Sequence, residues 1–389
     1  TPPQKTNKEV RTTVDGYPIA IFHRETASDT LEFVGKYNFN NDKSTAETFG
    51  FSDGDESWEF SNNTSDRCLF KSADFSGTDW TNDFESRYPD DDAINAEYEA
   101  GTRKPEKLMA VTSWVVSTKD NLDKFKNEVR NHFNLDNLIA YYLITELFGM
   151  VDQRAKNMFL TYFHEEGKWI FIFYDNDTCF GLNNEGLIAF GYNIEYHDKI
   201  GTLNVWNGES SVLWNNLEKC FPSEIEAMYK DIRTRGLLSY DLIMSVLNGE
   251  QSDKWCEAIY NADGRFKYID PLIEEGNGSY LYAAQGSRIE NRKWWTYNRF
   301  LYIDSKYTAG SFLSDFATLR LYTPREWTGV SPSANMTIIP YADQYTRVKY
   351  GSYMVGQRTY KDVPVLIEAP DIVFNDTETI IYGARRVKS

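Results

Sequence analysis

The part of this 389-residue chain that most constrains its fold is residues 135–181, which read as a buried helix, a polar loop, an aromatic hairpin and an acidic strand end. Leu135, Leu138, Ile139, Tyr142, Leu143 and Leu147 recur at helical spacing, and Gly149 follows the last of them as a helix stop. Asp152-Gln153-Arg154-Ala155-Lys156-Asn157 is then a loop. Residues 158–163 and 169–174 are rich in aromatic and β-branched side chains, and they flank His164-Glu165-Glu166-Gly167-Lys168, a sequence suited to a tight turn. The hairpin begins at Asn157 and ends at Asp175-Asn176-Asp177, so folding it back brings these polar groups towards one another.

That order fits phosphoryl transfer. In protein kinases a catalytic-loop Asp orients the attacking hydroxyl, an Asn at D-x-x-x-x-N spacing holds a metal ion, and a second Asp after the next hairpin holds the metals on the phosphates. Asp152, Asn157 and Asp175 reproduce the order and the first spacing. The same residues also have a purely structural reading, in which Asp152 caps a turn, Asn157 satisfies backbone groups and Asp175 to Asp177 form an Asx-rich strand exit. Residue chemistry alone leaves both open.

The segment resembles the core of the CotH family of spore-coat protein kinases. Members carry an Asp in a short loop after a helix, then Asn, an aromatic hairpin with Gly at its turn, and an aromatic-Asp-x-Asp segment ending in Phe/Trp-Gly. The matching residues are Asp152, Asn157, the run 159–162, Gly167-Lys168-Trp169, Tyr174-Asp175-Asn176-Asp177 and Phe180-Gly181, and the match fades outside them. The resemblance implies an atypical protein-kinase-like fold that binds ATP with Mg²⁺ or Mn²⁺ and phosphorylates Ser or Thr of a protein substrate. By position it makes Asp152 the catalytic carboxylate and Asn157 and Asp175 the metal ligands.

Composition narrows the classes further. The length exceeds that of a single core, so two domains are expected, and 26 Tyr, 24 Phe and 10 Trp need cores or interfaces to bury them. A net charge of -17 argues against a nucleic-acid partner. Cys68, Cys179, Cys220 and Cys256 form no Cys-x-x-Cys pair, which predicts isolated thiols. His23, His132, His164 and His197 share no short ligand spacing, so a His-based zinc hydrolase is not supported. No apolar run approaches the roughly 20 residues of a membrane span. The start at Thr1-Pro2-Pro3 and the end at Lys388-Ser389 suggest a piece of a longer protein.

Along the chain, residues 17–22 and 32–38 alternate as two strands, and 58–60 and 68–71 read as two more. Together residues 14–74 form the expected N-lobe, in which Lys71 is either a phosphate contact or a solvated surface residue. Where the family commonly has an acidic residue after its second strand, this chain has Asn38, Asn40, Asn41 and Asp42-Lys43. The N-lobe reads as truncated, or as completed from outside the chain. Residues 75–105 read as an acidic surface excursion with a short helix near 94–101. Helices predicted over 108–116, 120–132, 221–235, 239–248, 255–260, 268–275 and 287–305 build a C-lobe across 106–308. Short alternating segments over 309–389 predict a separate β-sandwich or small barrel. The expected fold class is α+β, with a kinase-like two-lobe body over 1–308 followed by a small all-β domain.

Two functions of different classes follow. One is an ATP- and metal-dependent protein Ser/Thr kinase, active or degenerate. The other is a non-catalytic assembly module of a spore coat, cell surface or virion that keeps the kinase-like fold and binds an assembly partner.

Overall fold

The computed structural model describes residues 12–14, 16–182, 190–239, 242–243, 288–308, 321–324, 338–341, 349–350 and 353–354. By their internal contacts the residues fall into two units, Thr1–Cys179 with Glu195–Met228, and Phe180–Ile194 with Tyr229–Ser389. Helix and sheet are mixed, as an α+β class requires.

The first unit opens with a hairpin of β1 (Gly16–His23) and β2 (Glu32–Asn40), followed by the short helix α1 (Ala46–Phe49). Its main sheet has four antiparallel strands: β3 (Glu56–Phe60), β4 (Phe84–Tyr88), β5 (Met158–Phe163) and β6 (Lys168–Phe173), in the order β4-β3-β5-β6. Both faces are covered, which is why β5 and β6 read as near-continuous apolar runs instead of alternating ones. On one face Phe159, Phe163, Ile170 and Ile172 pack with Phe49 and Phe51. On the other Phe171 meets Phe133, Tyr141 and Trp214 at ring-centroid distances of 6.2, 5.1 and 5.0 Å. Those partners come from the helical layer: α2 (Asp92–Glu99), α3 (Glu106–Ser117), α4 (Leu122–His132), α5 (Leu135–Phe148) and α6 (Val212–Cys220). Helix α5 is buried on nearly all sides and ends where Gly149 takes φ +58°. Asn137 of α5 donates to the Phe171 carbonyl at 3.1 Å and accepts its N–H at 2.7 Å, so the outer edge of β6 is capped by a side-chain amide.

Two local expectations are corrected. Residues 66–70 form a turn, not a strand, with Phe70 at φ +53°. The stretch 75–105 is no surface excursion throughout: it supplies β4 and buries Phe75, Trp80 and Phe84. Its acidity misleads because Arg67 takes up the charge, with guanidinium nitrogens 2.6 Å from both Asp79 and Asp83. The sheet contains a further surprise. Strand β3 pairs with β5 of the 158–173 hairpin and carries β4 on its other edge, and β1 pairs with β2 in a sheet of their own.

Helix α7 (Pro222–Thr234) carries the boundary between the units, after Met228. In the second unit its Tyr229 and Arg233 bind Asp304 of α8 (Arg288–Thr308) at 2.7 and 2.8 Å. Trp295 and Arg299 of the same helix donate to the carbonyls of Phe190, Tyr192 and Ile194. Further on, β7 (Leu321–Pro324) and β8 (Ile338–Tyr341) pair in parallel, and β9 (Lys349–Tyr350) and β10 (Tyr353–Met354) pair antiparallel. Most of the expected β domain over 309–389 lies outside the described residues, as do the helices expected over 255–260 and 268–275 and nearly all of the one over 239–248. Among the described residues no helix is long and apolar enough to cross a membrane.

Candidate active site

The loop between α5 and β5 is built as a rigid insert. Asp152, Gln153 and Arg154 are buried. Arg154 reaches back to the end of α5, donating to Thr145 Oγ1 and the Tyr142 carbonyl at 3.0 Å each, and pairing with Glu146 at 3.1 Å. The rings of Tyr142, Tyr196 and Trp206 surround its guanidinium at 4.1, 4.4 and 4.8 Å. Gly208, at φ +90°, lies so close that a Cβ there would sit 2.4 Å from the Arg154 carbonyl oxygen. That carbonyl accepts from Trp214 Nε1 at 2.8 Å.

This bracing presents the Asp152 carboxylate. Asn157 Nδ2 donates to its Oδ2 at 2.9 Å, and Asn207 Nδ2 donates to its Oδ1. Asn207 is itself fixed through its backbone N–H to the Val151 carbonyl, 2.8 Å away. The Asp152 and Asn157 side chains are thus in contact, and with the Asn157 Nδ2 turned to the carboxylate its Oδ1 is the ligand-capable atom.

Asp175 stands at the same open end of the hairpin as Asn157, because the register pairs Met158 with Phe173. Both residues have left-handed backbone, φ +53° at Asn157 and +51° at Asp175. Asn and Asp tolerate that region better than other residues with a Cβ. Gln153 bridges the two segments: its Nε2 donates to the Asp175 carbonyl, and its Oε1 accepts from Thr178 Oγ1 at 3.3 Å.

Burial raises the carboxyl groups of Asp152, Asp175 and Asp177 above the usual carboxylate range. Mutual repulsion adds to this, since Asp175 acts on Asp152, Asp177 on Asp175 and Asp152 on Asp177. Asp175 and Asp177 reach solvent, yet the surrounding protein withholds enough water to disfavour their charged forms. Lys156 opposes the effect at all three.

A second group was not foreseen from the sequence. Lys43, just after β2, lies 2.9 Å from Glu59 Oε2 and 3.0 Å from the Tyr174 hydroxyl. Arg87 Nε donates to the same Glu59 oxygen at 2.6 Å. Burial works against the Lys43 charge, but the bonds to Tyr174 and Glu59 outweigh it and hold its pKa above the ordinary value. Lys43 and Glu59 both act electrostatically on Asp175. Lys71, which the sequence left open as a phosphate contact or a surface residue, directly follows the 66–70 turn.

Among the described residues no group of three or more His, Cys, Asp or Glu side chains is assembled as a metal cage. Asn157 Oδ1 and the Asp175 carboxylate are hard oxygens, the donor type that Mg²⁺ or Mn²⁺ takes, and they are the residues of this site that could hold such a cation.

A family model described as CotH kinase protein matches residues 39–239. That is more than half of the chain, and the chain belongs to the CotH kinase family. The match contains every residue of the site, from Lys43 to Asn207. No curated protein matches the chain.

Proposed function

We propose that the protein is an ATP- and divalent-metal-dependent protein Ser/Thr kinase. The observation that carries this reading is the contact of Asp152 with Asn157 on a loop whose next residue, Gln153, is tied to Asp175. It joins the base, the amide ligand and the carboxylate ligand of a phosphoryl-transfer site. In this reading Asp152, buried and held by two amides, accepts the proton of a Ser or Thr hydroxyl as that oxygen attacks the terminal phosphoryl group of ATP and ADP leaves. Asn157 Oδ1 and the Asp175 carboxylate would hold Mg²⁺ or Mn²⁺, which neutralises phosphate charge when bound. Lys43, oriented by Glu59 and Tyr174, would contact the phosphates.

One observation favours a binding module instead: the β1–β2 hairpin exposes Phe22, Leu31, Val34, Tyr37 and Phe39, an apolar surface suited to a protein partner. Phosphate transfer from radiolabelled ATP, to the protein itself and to a generic protein substrate, separates the two. Asp152→Ala should lower kcat by about 10²–10⁴-fold and leave ATP binding intact. Wild-type protein that neither binds ATP nor transfers phosphate with Mg²⁺ or Mn²⁺ would leave the binding module as the reading.

A further inference from the structure

We infer that Gln153 is a positioning residue that sets the registration of Asp175 against the Asp152–Asn157 loop, so that Asn157 and Asp175 serve one divalent cation as a pair. The inference rests on the ligand assignment proposed above and concerns a residue that touches neither substrate nor metal.

Three observations point to this role. Gln153 is wholly buried between the two segments, and both ends of its amide are used across the gap, Nε2 on the Asp175 carbonyl and Oε1 on the Thr178 hydroxyl. Its own carbonyl is anchored independently, accepting from the Tyr141 hydroxyl at 2.8 Å, while the Tyr141 ring stacks on Phe173 of β6 at 4.4 Å. The amide is therefore a strut with a fixed foot on α5. Lastly, Asp175 and Asn157 both hold left-handed backbone, which Asn and Asp adopt more readily than other residues with a Cβ but which is still less favourable than extended backbone and is helped by an anchor. Gln153 binds the carbonyl of one of these residues, and no ion pair or direct bond between Asn157 and Asp175 does the same work. With one carbonyl released, the Asp175 carboxylate is free to swing from Asn157, while Asp152 keeps both of its amide partners.

The test compares full-length wild type with Gln153→Met, which keeps length and volume but donates nothing. Binding of the Mn²⁺–ATP complex is followed by the EPR signal of Mn²⁺, and binding of metal-free ATP by calorimetry. Gln153→Met should weaken Mn²⁺–ATP about 10–100-fold, the usual effect of removing a group that orients a metal ligand, and leave metal-free ATP unchanged. In the transfer assay it should raise the Mn²⁺ needed for half-maximal rate, with excess metal restoring the rate. A general loss of structure would not show that rescue. If Gln153→Met fails to fold, Thr178→Val carries the test: it removes only the hydroxyl that orients the amide, and should weaken Mn²⁺–ATP by about fivefold. Unchanged Mn²⁺–ATP affinity in the folded variant overturns the inference and leaves the kinase reading standing. Wild type that binds ATP no better with Mn²⁺ than without removes both.

Discussion

Two cation–carboxylate pairs flank the site, and they are built for opposite ends. Arg154 and Glu146 meet at 3.1 Å with both side chains wholly buried, whereas Lys43 and Glu59 meet at 2.9 Å with the Lys43 side chain 30% exposed. Arg154 spends its guanidinium on backbone, hydroxyl, carboxylate and three aromatic rings, all inside the fold. Lys43 keeps one flank open to solvent and holds partners that a phosphate could replace. The first pair fixes where Asp152 stands. In the proposed reading the second answers a ligand.

Breaking the buried pair should give the largest effect on the fold. Arg154→Met removes the cation that faces Glu146 in the interior, and breaking one side of a buried pair costs about 3–5 kcal/mol. Urea unfolding should show that loss, and Arg154→Met combined with Glu146→Leu should recover much of it, because no charge is then stranded. A single variant as stable as wild type would mean that the pair is not a brace.

How much of this was legible in the sequence follows from distance along the chain. Asp152, Asn157 and Asp175 could be read as candidates because one helix and one hairpin, both strongly patterned, set their order and bring their segments together. Lys43 could not, since its partner Tyr174 lies 131 residues away and only the packed sheet brings them together. Glu59 did leave a trace. A Glu between Trp58 and Phe60 in a strand buried on both faces must find a cation, and that requirement was there to be asked about. Strand β4 was hidden for a related reason, because acidic residues mark a surface only until an arginine such as Arg67 neutralises them. Asn207 carried no signal, being a lone Asn in an irregular segment.

The partly exposed pair should behave in the reverse manner to the buried one. Lys43→Met removes a charged donor from the phosphates and should weaken ATP binding about 10–100-fold, since hydrogen bonds to charged groups contribute about 1.5–3 kcal/mol. Its effect on unfolding should stay within about 1 kcal/mol, the range of partly solvated ion pairs. Isothermal titration with Mg²⁺–ATP and a urea melt on the same sample decide the matter. If Lys43→Met lowers stability and spares ATP, the contrast between the two pairs collapses.

The smallest expected effect is also the sharpest test of what the carboxylate cluster is for. Asp175 is held above the usual carboxylate range by burial first, then by Asp177 and Glu59. A raised carboxyl pKa means that the native state binds its proton more tightly than the unfolded chain does. Stability is then full below the unfolded pKa and is lost as pH rises through the native one. At neutral pH the metal-free protein carries this charge at a cost, so Asp175→Asn should melt higher than wild type, by roughly 1–2 °C for a solvent-reaching group. The difference should open as pH is raised from 4 to 7. Adding Mn²⁺ with ATP should reverse the order, because the ligand raises the melting temperature only where the carboxylate remains to bind it. A variant that melts below wild type without metal, at every pH, would show that Asp175 supports the fold instead of waiting for a cation.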